Sequence, residues 1–150
     1  MQNLPSEQTQ AAWIQLIRLQ QMLLNNVEFT LKAANLPPLT WYDVLVELSR
    51  DPDTGIRQFE IGERILLNKH NLSRLIDRLE KEKLLIREVC DADGRGNVVK
   101  ITNKGLAIRQ KMWPFYANAI QSLIANPLGK EKIDLLSELM NLLITNAKQK

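Results

Sequence analysis

The 150-residue chain has one cysteine and one histidine. A lone cysteine excludes an internal disulfide framework and suits a reducing compartment. With one residue of each kind, no metal site made only of histidine and cysteine can form within one chain. A single histidine also leaves little for general-base catalysis. There is no Gly-rich phosphate loop, no Ser-His-Asp set and no spaced run of metal ligands. The chain is therefore not expected to be an enzyme, and it calls for no cofactor and no metal.

Long apolar runs are missing too. No stretch approaches the length needed to cross a bilayer, and the first residues lack the basic-then-apolar pattern of a secretory signal. The expectation is a soluble, cytoplasmic protein with no membrane partner. There is no low-complexity segment and no internal repeat. The apolar fraction, 45%, is ordinary for a globular protein, so one domain over 1–150 with a real core is expected.

What is present is an uneven charge. From Ile56 to Lys111 there are 13 Lys or Arg and 8 Asp or Glu, a net of +5, whereas the remainder carries 7 and 9, a net of −2. A basic centre between slightly acidic ends suits an anionic partner, of which nucleic acid is the commonest, although many solvated faces are basic.

Residues 7–34 read as one long helix, with Trp13, Leu16, Ile17, Leu23, Leu24, Val27 and Leu31 at helical spacing. Pro37-Pro38 ends it. Thr40 is the expected N-cap of a second helix, TWYDVLVELSR, with Asp43 closing a capping box. Asp51-Pro52 and Gly55 break that helix. A short helix is expected around Phe59 to Ile65, then a longer one in NKHNLSRLIDRLEKEKLL, capped by Asn68. In it Leu72, Leu75, Ile76 and Leu79 fall at i, i+3, i+4 and i+7, which predicts one buried stripe. The opposite face carries His70, Ser73, Arg74, Asp77 and Lys81. Two strands follow, LLIREVC and NVVKIT. Thr102 caps a further helix to about Ala125, with a kink expected at Pro114. After a turn at 126–129, the last helix has Ile133, Leu135, Leu136, Leu139, Met140, Leu142 and Leu143 on a face too wide for one neighbour. Either the terminal helices cover each other or a second copy covers both; the width of the face favours a homodimer.

A short helix, a tight turn and a second amphipathic helix make a helix-turn-helix, whose second helix enters the major groove. Lys69 and Arg74 suit phosphate or guanine, while His70, Asn71 and Ser73 can donate to phosphates or base edges. An ordinary solvated helix face would look similar. The hairpin that follows reads as a wing. Its tip, DADGRG, places Arg95 between two glycines with Asp93 two residues before it. Glycines allow close approach to a phosphate backbone, a narrow minor groove attracts a guanidinium, and a carboxylate can hold that guanidinium in one orientation. A plain Asp-Gly turn is the alternative.

The run EIGERILLNKHNLSRLIDRLEKEKLLIREVCDADGRGNVVKITNKG resembles the core of the MarR (multiple antibiotic resistance regulator) family of bacterial winged-helix transcription factors. The resemblance rests on the SRLIDRLEKEKLL end of the recognition helix, the Asp-x-Arg tip at 93–95 and the closing ITNKG, and with the flanking helices it spans nearly the whole chain. It implies a mainly α fold with a small β-hairpin wing (α+β). A winged helix-turn-helix lobe at 40–102 would be flanked by dimerisation helices at about 7–34 and 103–148. It further implies a homodimeric repressor of a pseudo-palindromic operator in double-stranded DNA. Lys69, His70, Asn71, Ser73 and Arg74 would sit at the start of the recognition helix, Arg78 would meet phosphate one turn on, and Asp93 and Arg95 would lie on the wing. Two departures stand out: Lys83 occupies a position where the family often has Gly, and the wing reads DGRG where Asp-Arg-Arg is frequent.

Many such regulators release DNA on binding a small aromatic or lipophilic molecule. Trp13, Trp41, Tyr42, Trp113 and Tyr116 are the candidates for lining such a pocket, with Phe115 nearby; each could equally be core. Cys90 sits among Glu88, Asp91 and Asp93, whose carboxylates would raise rather than lower a thiol pKa, so a structural or incidental cysteine is expected instead of an oxidant sensor. A winged-helix protein-protein interaction module without DNA binding is the alternative function. It has little use for Lys69, Arg74 and Arg95 together at the DNA-facing positions.

Overall fold

In the computed structural model the chain runs α1 (Glu7–Ala33), α2 (Leu39–Arg50), β1 (Ile56–Arg57), α3 (Gln58–Ile65), α4 (Lys69–Lys81), β2 (Leu85–Val89), β3 (Asn97–Ile101), α5 (Asn103–Ile120), a π-helical turn (Gln121–Ala125) and α6 (Asn126–Lys148). The structure describes residues 3–65, 69–89 and 97–149, the side chains of Lys69 and His70 excepted. It divides into two compact units, Glu28–Phe115 and the pair of segments Met1–Val27 and Tyr116–Lys150.

The unit Glu28–Phe115 holds the hydrophobic core. Val44, Leu45 and Leu48 of α2 meet Ile61 of α3, Leu72, Ile76 and Leu79 of α4, and Ile56, Leu85, Val99 and Ile101 of the sheet, all buried. Three of the four residues of the expected α4 stripe are buried outright, and Leu75 packs against the cluster from its edge. The predicted hairpin is there, with Leu85 paired to Ile101 and Val89 to Asn97. A third strand was not foreseen: Ile56 and Arg57 pair antiparallel with Val99 and Val98, so the sheet order is β1-β3-β2. Two residues are too few to show a period of two. What places them is Gly55, at φ +77, where a Cβ would come within 2.6–2.7 Å of Val98 Cγ1, Lys100 Cγ and the Val99 carbonyl oxygen. Only a residue without a side chain lets the chain pass β3 that closely.

Three helix ends explain the local chain path. At the start of α1 the Ser6 hydroxyl accepts the Thr9 N–H at 3.1 Å. At its end Asn35, φ 56, stands in the left-handed region, with Leu36 N–H bonded to Leu31 O and Asn35 N–H to Lys32 O. This is the Schellman arrangement. The expected capping box of α2 is not formed. The helix begins at Leu39, Pro38 precedes it as N-cap, and no side chain of its own caps it. The Glu28 carboxylate of α1 instead accepts the Leu39 N–H at 2.8 Å. Because the helix starts one residue before Thr40, that residue is not at the cap, and the donor exposed at the new start is met by a partner from α1.

The Thr102 cap of α5 is formed: its hydroxyl accepts the Gly105 N–H at 3.0 Å and donates to Lys83 O at 2.7 Å. Pro114 lies inside α5, which continues to Ile120 before the π-helical turn. At the expected turn before the last helix, Gly129 is non-helical (φ 73, ψ 169) inside α6.

In the other unit, buried apolar residues are few: Val27 and Ala119 among the described ones. Trp13, Ile14, Ile17 and Met22 of α1 are exposed, as are Leu135, Leu139, Leu142 and Leu143 of α6. No helix of the described residues is long and apolar enough to cross a membrane.

Candidate nucleic-acid interface

The candidate surface is built on α4. Its apolar stripe is pinned to the core, so the remaining positions must face outward. Asn71, Arg74, Asp77, Arg78 and Lys81 are exposed, and Ser73 is half-buried. Lys69 and His70 begin the helix, and its N-terminal peptide groups add partial positive charge there. The expected cap Asn68, the side chains of Lys69 and His70, the wing residues Asp93 and Arg95, and Cys90 lie outside the described residues. The structure thus brings Asn71, Ser73, Arg74 and Arg78 together on one helix.

The end of α4 is set by Lys83. With φ 64 it occupies the left-handed region, Leu84 N–H bonds back to Leu79 O at 3.0 Å and Lys83 N–H to Glu80 O at 2.9 Å. This second Schellman turn has lysine where glycine is the easier residue. It turns the chain from α4 into β2 within the three residues 82–84. Gly105 then packs against the same turn. A Cβ there would overlap the Leu84 carbonyl oxygen and lie 2.8 Å from Ile101 Cγ1. The ITNKG motif therefore has a geometric reason: its threonine caps α5 and bonds the Lys83 carbonyl, and its glycine makes room for the Leu84 backbone. Lys104 Nζ adds a bond to Glu82 O at 3.0 Å.

Sequence reasoning missed the charged link between α4 and β2. Arg87 Nη2 lies 2.7 Å from Asp77 Oδ1 and 2.8 Å from Glu80 Oε1, and the Arg87 N–H donates to Glu80 Oε2 at 3.2 Å. The hydrogen bond from Arg87 holds the Glu80 carboxyl below its usual range, and the same bond raises the Arg87 guanidinium. A signal existed: Asp77 and Glu80 stand three apart on one side of a helix, and Arg87 shares its strand face with the inward Leu85. On the outer face of the sheet, Lys100 Nζ meets Glu88 Oε2 at 3.0 Å.

The aromatic candidates sit in different settings. Tyr42 is buried in α2 and stacks on Trp113 of α5, with centroids 6.2 Å apart and planes 14° from parallel. Burial raises the Tyr42 hydroxyl pKa, with Arg109 opposing and Asp43 adding. Trp41 packs against the core as a half-buried residue. In the other unit Tyr116 is half-buried, and Trp13 is exposed beside a shallow apolar cleft with Pro5, Thr9, Gln10 and Ile14. Among the described residues no group of three or more His, Cys, Asp or Glu is placed to hold a metal ion.

The comparisons with known proteins converge. A model of the MarR family matches residues 34–96. The HTH-type transcriptional regulator MhqR of Bacillus subtilis is 32% identical over 110 residues, 73% of this chain and 74% of MhqR. The fold is that of Sco3205, a MarR family regulator from Streptomyces coelicolor solved in complex with DNA. Its TM-score is 0.88 at 23% identity, over 97% of this chain and 91% of that one. PcaV from Streptomyces coelicolor, solved with its natural ligand, superimposes at a TM-score of 0.72 and 22% identity, over 98% and 99% of the two chains. The chain belongs to the MarR family, DNA-binding transcriptional regulators of winged-helix fold and not enzymes.

Proposed function

We propose that the protein works as a homodimer that sets one α4 helix from each subunit into successive major grooves of a pseudo-palindromic operator. Lys69, His70, Asn71, Ser73 and Arg74 meet base edges and phosphates at the start of the helix, and Arg78 meets phosphate one turn later. Arg95, braced by Asp93, reaches the adjacent minor groove. The observation that carries the reading is the division of labour on α4: Leu72, Ile76 and Leu79 are fully committed to the core, while Arg74 and Arg78 stay exposed beside them. The alternative, a protein-interaction module, leaves that basic face without a task.

The dimer is supported by the second unit. Helices α1 and α6 carry large apolar side chains in water, with Leu142 at 67% and Trp13 at 67% exposure. Soluble monomers rarely leave such surface uncovered, and a self-complementary contact between two copies removes it. The protein is further proposed to be a repressor released by a small aromatic or lipophilic effector; of the candidate aromatics, Trp41, Tyr42 and Trp113 belong to the unit Glu28–Phe115, and Trp13 and Tyr116 to the other. The bound natural ligand of PcaV supports an effector in a protein of this fold.

Two measurements test the core of the proposal. Selection from a random duplex library should return an inverted-repeat sequence protected from cleavage by the protein, with half-sites about one helical turn apart. Light scattering should give a dimer mass, and Leu142→Glu should shift it toward monomer. Selection that returns no preferred sequence, or a wild-type monomer, would refute the reading.

A further inference from the structure

The Arg87 link does little that the core does not already do for stability. Exposed ion pairs contribute little on average, and here the Asp77 side chain is 59% exposed while that of Arg87 is 23% exposed. Its placement is what matters. The core stripe holds α4 from below and the Schellman turn at Lys83 fixes its end, and a third tie acts on the flank of the helix between that stripe and Arg74, where Asp77 and Glu80 stand. Arg87 grips that flank from β2, through Asp77 and Glu80 at once and through its own N–H. Bidentate base contacts tolerate only small errors of angle and distance, so a constraint on the roll of the helix is a constraint on which bases are read. The same guanidinium also offsets two carboxylates that would otherwise stand beside phosphate.

We propose that Arg87 is a positioning residue for sequence readout: clamped by Asp77 and Glu80, it sets the roll of α4 against the wing, and so determines specificity through Arg74 and its neighbours without touching DNA. The inference rests on α4 being the recognition helix. It separates two effects of one residue. The geometric effect changes the preference between sequences, and the electrostatic effect changes affinity for all DNA alike.

The test uses the full-length chain and two duplexes of equal length, one selected from a random library by the wild-type protein and one scrambled. Fluorescence anisotropy over a range of salt gives the ratio of the two affinities. Arg87→Ala should weaken binding to both duplexes and also cut the ratio by about tenfold. The triple variant Asp77→Asn/Glu80→Gln/Arg87→Ala, which removes the exposed carboxylates, should regain affinity for the scrambled duplex while the ratio stays low. Asp77→Asn alone, a change at an exposed position that should leave the melt intact, should raise affinity for scrambled DNA yet lower the ratio. This variant decides the matter should Arg87→Ala fail to fold. A ratio unchanged in Asp77→Asn, or restored in the triple variant, overturns the positioning role and leaves only charge compensation. A wild-type protein that prefers no duplex instead removes the recognition-helix reading itself, and the inference with it.

Discussion

Gly105 lies directly against the Leu84 carbonyl oxygen, so that the first turn of α5 touches the backbone that leaves α4. An alanine at this helical position would ordinarily gain stability, by up to about 1 kcal/mol over glycine. Here the added Cβ must displace a backbone oxygen, and overpacking of that kind costs about 1–3 kcal/mol. The clash should win. Gly105→Ala is expected to lower the melting temperature, and a variant that melts at or above the wild-type temperature would contradict the close approach.

Lys83 has the opposite expectation. At φ 64 a residue with a Cβ carries a local cost that glycine avoids. Part of that gain is lost to the greater freedom of glycine in the unfolded chain. Lys83→Gly should therefore stabilise the fold by about 0.5–1 kcal/mol. Thermal or urea denaturation reads the change directly, and a lower midpoint would show that the lysine side chain makes a contact worth more than the strain.

Asp43 gives a pH dependence. Burial, and next the neighbouring Glu28 and Glu47 carboxylates, push its carboxyl up to about 6. A carboxyl raised above its unfolded value binds its proton more tightly when folded. Its contribution favours the fold below about 4 and is lost as pH rises through about 6. The ion pairs of Glu47 with Arg50 and Arg64 keep cations nearby, and solvent reaches the group, so the effect is modest. Asp43→Asn should remove this component and raise stability at neutral pH by about 1 kcal/mol. If the difference between variant and wild type is the same at pH 4.5 and pH 8, the assignment is wrong.

Variants at Arg74 and Arg95 test the base-reading and minor-groove roles proposed for them. Arg74→Ala should cost about 1–3 kcal/mol of operator affinity and relax the sequence preference. A change confined to the salt slope would instead make it a phosphate contact. Arg95→Ala should weaken operator binding with little loss of the dimer, and an unchanged affinity at moderate salt removes the wing assignment.

Much of this protein was legible in its sequence because the signals are local. The spacing of Leu72, Leu75, Ile76 and Leu79 specifies an amphipathic helix and which side of it is buried, whatever it packs against. Pro37-Pro38, Thr102 and the alternating strands after Leu84 mark boundaries by their own backbone chemistry. The lone cysteine and histidine excluded whole classes of chemistry before any fold was considered.

The tertiary structure decided what depends on distant partners. Thr40 and Asp43 have the spacing of a capping box, but the helix already begins at Leu39, so Thr40 lies inside it, and the Leu39 N–H is met by the Glu28 carboxylate, a cap from another helix that no local pattern can foretell. The two-residue strand at Ile56 exists because Gly55 lets it lie on β3. Asp77 reads as part of a solvated helix face until the chain folds Arg87 back against it and against Glu80. Periodicity is encoded residue by residue, whereas a hydrogen bond to a remote side chain is fixed only when the core brings the two elements together.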